Sequence, residues 1–311
     1  MHFTELINLA SERLGAKVLE ANDEFFAPKE NLVKPSKPIH VEGKYTDCGK
    51  WRDGWETRRR RAPGHDWCVV QLGLPGIVRG AAVDTAFFVG NYPEQCSIDA
   101  AAHGAGITGG SGWSEILPKS YLRGDSQNEF AIDGAERRFT HVRLNIYPDG
   151  GVARLRIFGT PVPDWAKLGR EVDLAAVENS GLATACSGCF VGTPLNLSLP
   201  GRPLNIGDGW ETKRRRGPGH DWAILRLGAP GVVRKVEIDT SHFFGNYPDT
   251  ASLDGSASGD EPWTTLIPQA KLQGHTQHLF KVPEREPVSH VRLNIFPDGG
   301  VARLRVWGAW K

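Results

Sequence analysis

Two stretches of this chain carry the same reactive side chains in the same order. Asp53-Gly54-Trp55-Glu56-Thr57-Arg58-Arg59-Arg60-Arg61-Ala62-Pro63-Gly64-His65-Asp66-Trp67 returns as Asp208 to Trp222, with Lys213 for Arg58 and Gly217 for Ala62 as the only changes. A core exchanges Leu, Ile and Val freely, so packing alone would let two copies drift. Here Arg, His, Asp, Glu and Trp are kept, the side chains that hold anions, move protons and wall small pockets. If the arginine run is a strand, Arg59 and Arg61 face one way and Arg58 and Arg60 the other. One face could then grip a carboxylate through paired guanidinium bonds. Structural salt bridging and a nucleic-acid patch are the alternatives, the last disfavoured because no net-basic region surrounds the run.

Three further sets could do chemistry. His65-Asp66 and His220-Asp221 follow a Pro-Gly turn on which both side chains can face one cleft, while a hydrogen-bonded surface histidine is the plainer reading. Glu56 and Glu211 each follow a Trp, an apolar neighbour that could raise a carboxyl pKa. The copies also differ: His242, His275 and His278 stand where the first copy has Phe87, Asp125 and Asn128. These histidines could be metal ligands, parts of one asymmetric acid-base site, or drift at exposed positions. The first copy in turn has Asp23-Glu24 where the second has Gly188-Cys189.

The elements that must position these groups come from a duplication of the whole chain. Asn8-Leu9-Ala10 answers Asp173-Leu174-Ala175 at a spacing of 165, which falls to 155 after Leu32, so the first copy carries ten extra residues. Asp84-Thr85 pairs with Asp239-Thr240, and Gly90-Asn91-Tyr92-Pro93 with Gly245-Asn246-Tyr247-Pro248. Pro148 to Arg156 closes one copy as Pro297 to Arg305 closes the other. Trp67–Leu72 and Trp222–Leu227 read as strands stopped by Gly and Pro. His141–Tyr147 and Val152–Phe158 alternate on either side of a Pro-Asp-Gly-Gly turn, which predicts a hairpin gathering Arg143, Asn145, Arg154 and Arg156. Helical periodicity is confined to stretches near Thr4–Leu14 and Glu171–Glu178. The expectation is an all-β chain of two tandem jelly-roll sandwiches, residues 1–160 and 161–311, joined at the stiff segment Thr160–Asp164.

Composition narrows the partners. With 37 Lys and Arg against 36 Asp and Glu, the chain has no bulk attraction for nucleic acid or anionic lipid. Its apolar runs are too short to span a bilayer, and the first fifteen residues have no secretory pattern. Five cysteines, none with a counterpart in the other copy, suit reduced thiols in a cytosol. Cys186-x-x-Cys189 lacks the second pair of a structural zinc site.

Taken together, the two Asp-Gly-Trp-Glu-Thr…Pro-Gly-His-Asp-Trp blocks, Asp23-Glu24-Phe25-Phe26-Ala27-Pro28 and the Gly-Asn-Tyr-Pro pairs resemble the allantoicase family. So do Asp239-Thr240-x-His242-Phe243 and the Pro-Asp-Gly-Gly-Val-Ala-Arg endings, so the likeness covers essentially the whole chain. It implies two jelly-roll domains similar to galactose-binding-like sandwiches, assembled into a homo-oligomer. It also implies hydrolysis of allantoate to ureidoglycolate and urea. That substrate has one carboxylate and two ureido groups, and the bond to break joins a ureido nitrogen to the central carbon. An acid should protonate the departing nitrogen while the second nitrogen's lone pair stabilises an iminium-like centre, to which a base delivers water. On that expectation Arg59, Arg61, Arg214 and Arg216 include the carboxylate grip, and Glu56, Glu211, His65, His220, Asp66 and Asp221 supply acid and base. Asp84, Asp239, Asn91, Asn246 and His242 would meet the substrate, the asparagines at a ureido carbonyl. No cofactor is called for; a divalent metal stays open without any tight ligand spacing behind it. The rival function is a non-catalytic duplicated sandwich that binds a small ligand or a carbohydrate.

Overall fold

The computed structural model describes residues 2–102, 112–133 and 136–311. The chain divides into two compact units, Met1–Val162 and Pro163–Lys311. Each is a two-layered β-sandwich of jelly-roll type, built on one 19-residue strand that belongs to both layers. In the first unit this strand is Asp66–Asp84. Its first half pairs antiparallel with Lys17–Ala21 on one side and Phe139–Tyr147 on the other. Gln95–Ala101 and Trp113–Tyr121 continue that layer. Its second half pairs with Arg154–Pro161 and Gln127–Ala131, and Ile7–Asn8 lies outside Arg154–Pro161. The second unit repeats the plan around Asp221–Asp239.

The strand therefore does not stop at Gly73-Leu74-Pro75-Gly76, as its turn-like composition suggested, but runs through it. Side chains would block the crossing: a Cβ on Gly73 would lie 2.5 Å from the Leu14 carbonyl oxygen, and one on Gly76 2.4 Å from that of Thr160. The expected hairpin is likewise absent. Phe139–Tyr147 and Arg154–Pro161 flank opposite halves of the long strand, so they lie in different layers. Arg143 and Asn145 bond to Asp99, whereas Arg154 is buried against Asp53.

Neither stretch with helical periodicity is an α-helix. Thr4–Leu14 resolves into two 3-10 turns around the edge strand Ile7–Asn8, and Glu171–Glu178 into the strand Glu171–Asp173 and another 3-10 turn. Sheet pairing wins because Asn8 Oδ1 accepts the Ile157 N–H at 3.0 Å, while the following Leu9 is fully buried. Alternation sets the cores: Val142, Leu144 and Ile146 are fully buried in the first unit, Val291, Leu293 and Ile295 in the second. Trp55 and Trp210 are fully buried core residues too, not walls of an open pocket. Their indole N–H groups donate to the carbonyls of Asp23 and Gly188.

Candidate active site

The arginine run is not a strand. After the two-residue strand Trp55–Glu56 it is held extended by the Pro-Asp-Gly-Gly turn at the other end of the copy. Thr57 exchanges backbone and hydroxyl bonds with Gly150, and Arg60 N–H donates to Asp149 Oδ2 at 2.9 Å. The second copy repeats this with Thr212, Gly299 and a 2.7 Å bond from Arg215 N–H to Asp298. Arg60 then turns inward to the buried Asp66 at 2.6 Å, as Arg215 does to Asp221. Asn22 and Ser187 donate to the same two carboxylates. Burial pushes the Asp221 carboxyl up, but Arg215, Thr212 and Ser187 outweigh it and hold its pKa below the ordinary range. Asp66 and Asp221 each bind the arginine at the third place of their run and so anchor it.

Pinning the third arginine leaves its neighbours outside. Arg59, Arg61, Arg214 and Arg216 are exposed and, among the described residues, have no ion pair. Arg214 and Arg216 do not converge, however. In the second copy Arg214 lines a cavity of about 640 Å³ with Glu211, Asn246, Phe190, Tyr247 and Asp298. Arg216 lines a separate depression of about 460 Å³ with Asp221, Ser187 and Cys189.

The larger cavity joins a carboxylate to an amide. Glu211 Oε1 accepts from Asn246 Nδ2 at 2.7 Å, and Glu56 from Asn91 at 2.6 Å. One Asn N–H is thereby engaged, leaving the amide oxygen and a second N–H for a ligand. The Glu side chains are placed by the buried Trp before them. The Asn side chains are placed by a loop pressed onto Gly150 or Gly299, both at positive φ. Burial raises the Glu56 carboxyl pKa, with Asn91 and the charge of Arg52 opposing it only in part. The cavity thus offers a cation, a carboxylate and amide groups within one space, a set that can hold a small anion and move a proton.

The remaining expected residues lie elsewhere. The His220 ring packs tilted against Phe296 with centroids 4.5 Å apart and its Nε2 lies 3.3 Å from Asn294 Oδ1; the His65 ring packs tilted against Tyr147 at 4.7 Å. Neither histidine shares a hydrogen bond with the Glu–Asn pair. Asp84 and Asp239 accept the N–H groups of Ala86 and Ser241, two residues on, and Asp239 is also paired with Arg202. They cap turns. His242, at positive φ, donates its backbone N–H to His275 Nδ1 at 2.9 Å, the bond that Phe87 makes to Asp125 in the first copy. His278 accepts the Gln273 N–H as Asn128 accepts that of Arg123. His275 and His278 therefore replace Asp125 and Asn128 as turn acceptors, while His242 stands at the place of Phe87 as the backbone donor. Among the described residues no three His, Cys, Asp or Glu side chains gather as a metal set.

Thr57, Asp149 and their counterparts Thr212 and Asp298 escaped the sequence reading. The twofold Pro-Asp-Gly-Gly carried the signal, but it reads as a turn when the segment it clamps is far away in the chain.

Similarity to known proteins follows the repeat. The allantoicase repeat family model matches residues 7–162 and 172–311. A protein of Burkholderia mallei described as "Probable allantoicase 1" is 50% identical over 97% of this chain and 94% of its own. The allantoicase of Dictyostelium discoideum is 45% identical over 98% of this chain and 87% of its own. The crystal structure of allantoicase from Saccharomyces cerevisiae superposes with a TM-score of 0.84 at 37% identity, covering 97% of this chain and 92% of that one.

Proposed function

The chain belongs to the allantoicase family, and from that membership we propose that it hydrolyses allantoate to ureidoglycolate and urea, with the two Glu–Asn pairs at the reacting sites. The observation that carries the assignment of the site is the shared cavity of Glu211, Asn246 and Arg214. Its parts match what the reaction needs. Arg214 supplies a guanidinium for the substrate carboxylate. The free amide groups of Asn246 suit a ureido group, accepting its N–H or donating to its carbonyl. Glu211 is then the group placed to protonate the departing urea nitrogen as the bond to the central carbon breaks, and afterwards to take a proton from the incoming water. Glu56 and Asn91 repeat the carboxyl and the amide in the first copy, and there burial favours the protonated carboxyl, the form an acid catalyst starts from. His65 and His220 stand outside this assignment because their contacts are Tyr147 for the one and Phe296 and Asn294 for the other, not the Glu–Asn pair.

Glu56→Gln and Glu211→Gln keep size and the Asn bond while removing the proton. Urea release should fall by about 10²–10⁴ in kcat when the working carboxyl is lost, and near-unchanged kcat in the double variant would end the assignment. The same reading includes assembly as a homo-oligomer in the cytoplasm. Five cysteines without a disulfide support a reducing compartment, and sedimentation of the purified chain reads the assembly.

A further inference from the structure

We propose that the ten-residue insertion of the first copy builds a carboxylate-binding pocket beside Asn91, in which Lys50 and Arg52 hold the carboxylate of the substrate; this rests on the activity proposed above. The inserted segment is firmly placed. Ile39 N–H donates to Asp53 Oδ2 at 3.0 Å, and the buried Arg154 bridges Asp53 to the Ser36 carbonyl. The segment ends in the short hairpin of Tyr45–Thr46 and Gly49–Lys50, which brings Lys50 and then Arg52 to the rim of a depression of about 290 Å³. His40, Phe87, Asn91 and Asp125 complete its wall.

The charge balance there is positive. Lys50 and Arg52 have no ion pair among the described residues, and the one acid, Asp125, already accepts the Phe87 N–H at 2.7 Å. Arg52 also lies close enough for its charge to act on Glu56, across the Asn91–Glu56 bond. A carboxylate held at Lys50 and Arg52 therefore sits on one side of Asn91 with Glu56 on the other. In allantoate the carboxylate is attached directly to the carbon that bears both ureido groups, so fixing it brings the breaking bond toward Glu56. The second copy has Asn205 and Gly207 at the places of Lys50 and Arg52, and His275 at that of Asp125. The two copies thus hold their anion differently, and the first has the additional grip.

Calorimetric titration of the full chain with allantoate in a Glu56→Gln/Glu211→Gln background, which does not consume it, with and without the Lys50→Met/Arg52→Gln pair, tests this. Both positions lie at a rim, so the variant carrying the pair should melt with its background while losing about tenfold or more in affinity at one class of sites. Superimposable isotherms overturn the proposal. Urea release by the unmodified chain reads the activity separately. Release with superimposable isotherms overturns the grip alone; binding that the variant weakens, without release, overturns the activity alone. Neither binding nor release overturns both.

Discussion

Asp173 Oδ1 accepts the N–H groups of Val306 and Ala175, the place Asn8 fills in the first copy with Ile157 and Ala10. The amide does this without charge. The carboxyl is buried, and burial pushes its pKa from 3.8 up to about 6 against the opposing pull of the Val306 N–H and Arg305. A folded-state value above the unfolded one means that the stabilisation is complete below about pH 4 and is lost as pH rises through about 6. Asp173→Asn should therefore raise stability at pH 7, by at most about 3 kcal/mol, and flatten the dependence between pH 4 and 6. Urea-denaturation curves across that window check it; an unchanged slope would show that the carboxyl is not the titrating group. The same physics separates the carboxyls near the arginine run. Glu56 is buried with too little positive charge to compensate, whereas Asp221 is buried against a guanidinium, and opposite environments give opposite proton affinities.

Among the elements, the Pro-Asp-Gly-Gly turn holds both the arginine run and the Asn loop. A Cβ on Gly299, at φ 135°, would meet Pro248 N at 2.7 Å and Asn246 O at 2.9 Å. Gly299→Ala should destabilise the second unit by about 1–3 kcal/mol and displace Asn246 from Glu211. It should lower urea release without touching either side chain; full activity with unaltered melting would remove the turn from the site. Much of the framework is legible beforehand, because Val142, Leu144 and Ile146 alternate with polar residues and the duplication gives every such reading twice. The pairing of Arg60 with Asp66 is not, since a run of four arginines offers no sign of which one turns inward. Nor is the crossing at Gly73–Gly76, where the residues that end most strands here allow a backbone contact instead. The Glu56–Asn91 pair spans 35 positions and depends on loops whose path only tertiary contacts determine.

At the scale of the molecule, one duplicated plan carries two unequal rims: a basic insertion in the first unit, imidazole and aromatic side chains in the second. Beneath them the long strands Asp66–Asp84 and Asp221–Asp239 are each shared by two layers. Neither layer of a unit can fray while the other stays whole, because the same backbone is hydrogen-bonded in both. The amide protons of Val69–Leu72 and of Val78–Val83 should accordingly exchange with deuterium at one common slow rate, set by opening of the entire unit. Two distinct rates along that strand would mean that the layers open separately. A catalyst framed in this way keeps its loops poised on a support that yields all at once or not at all.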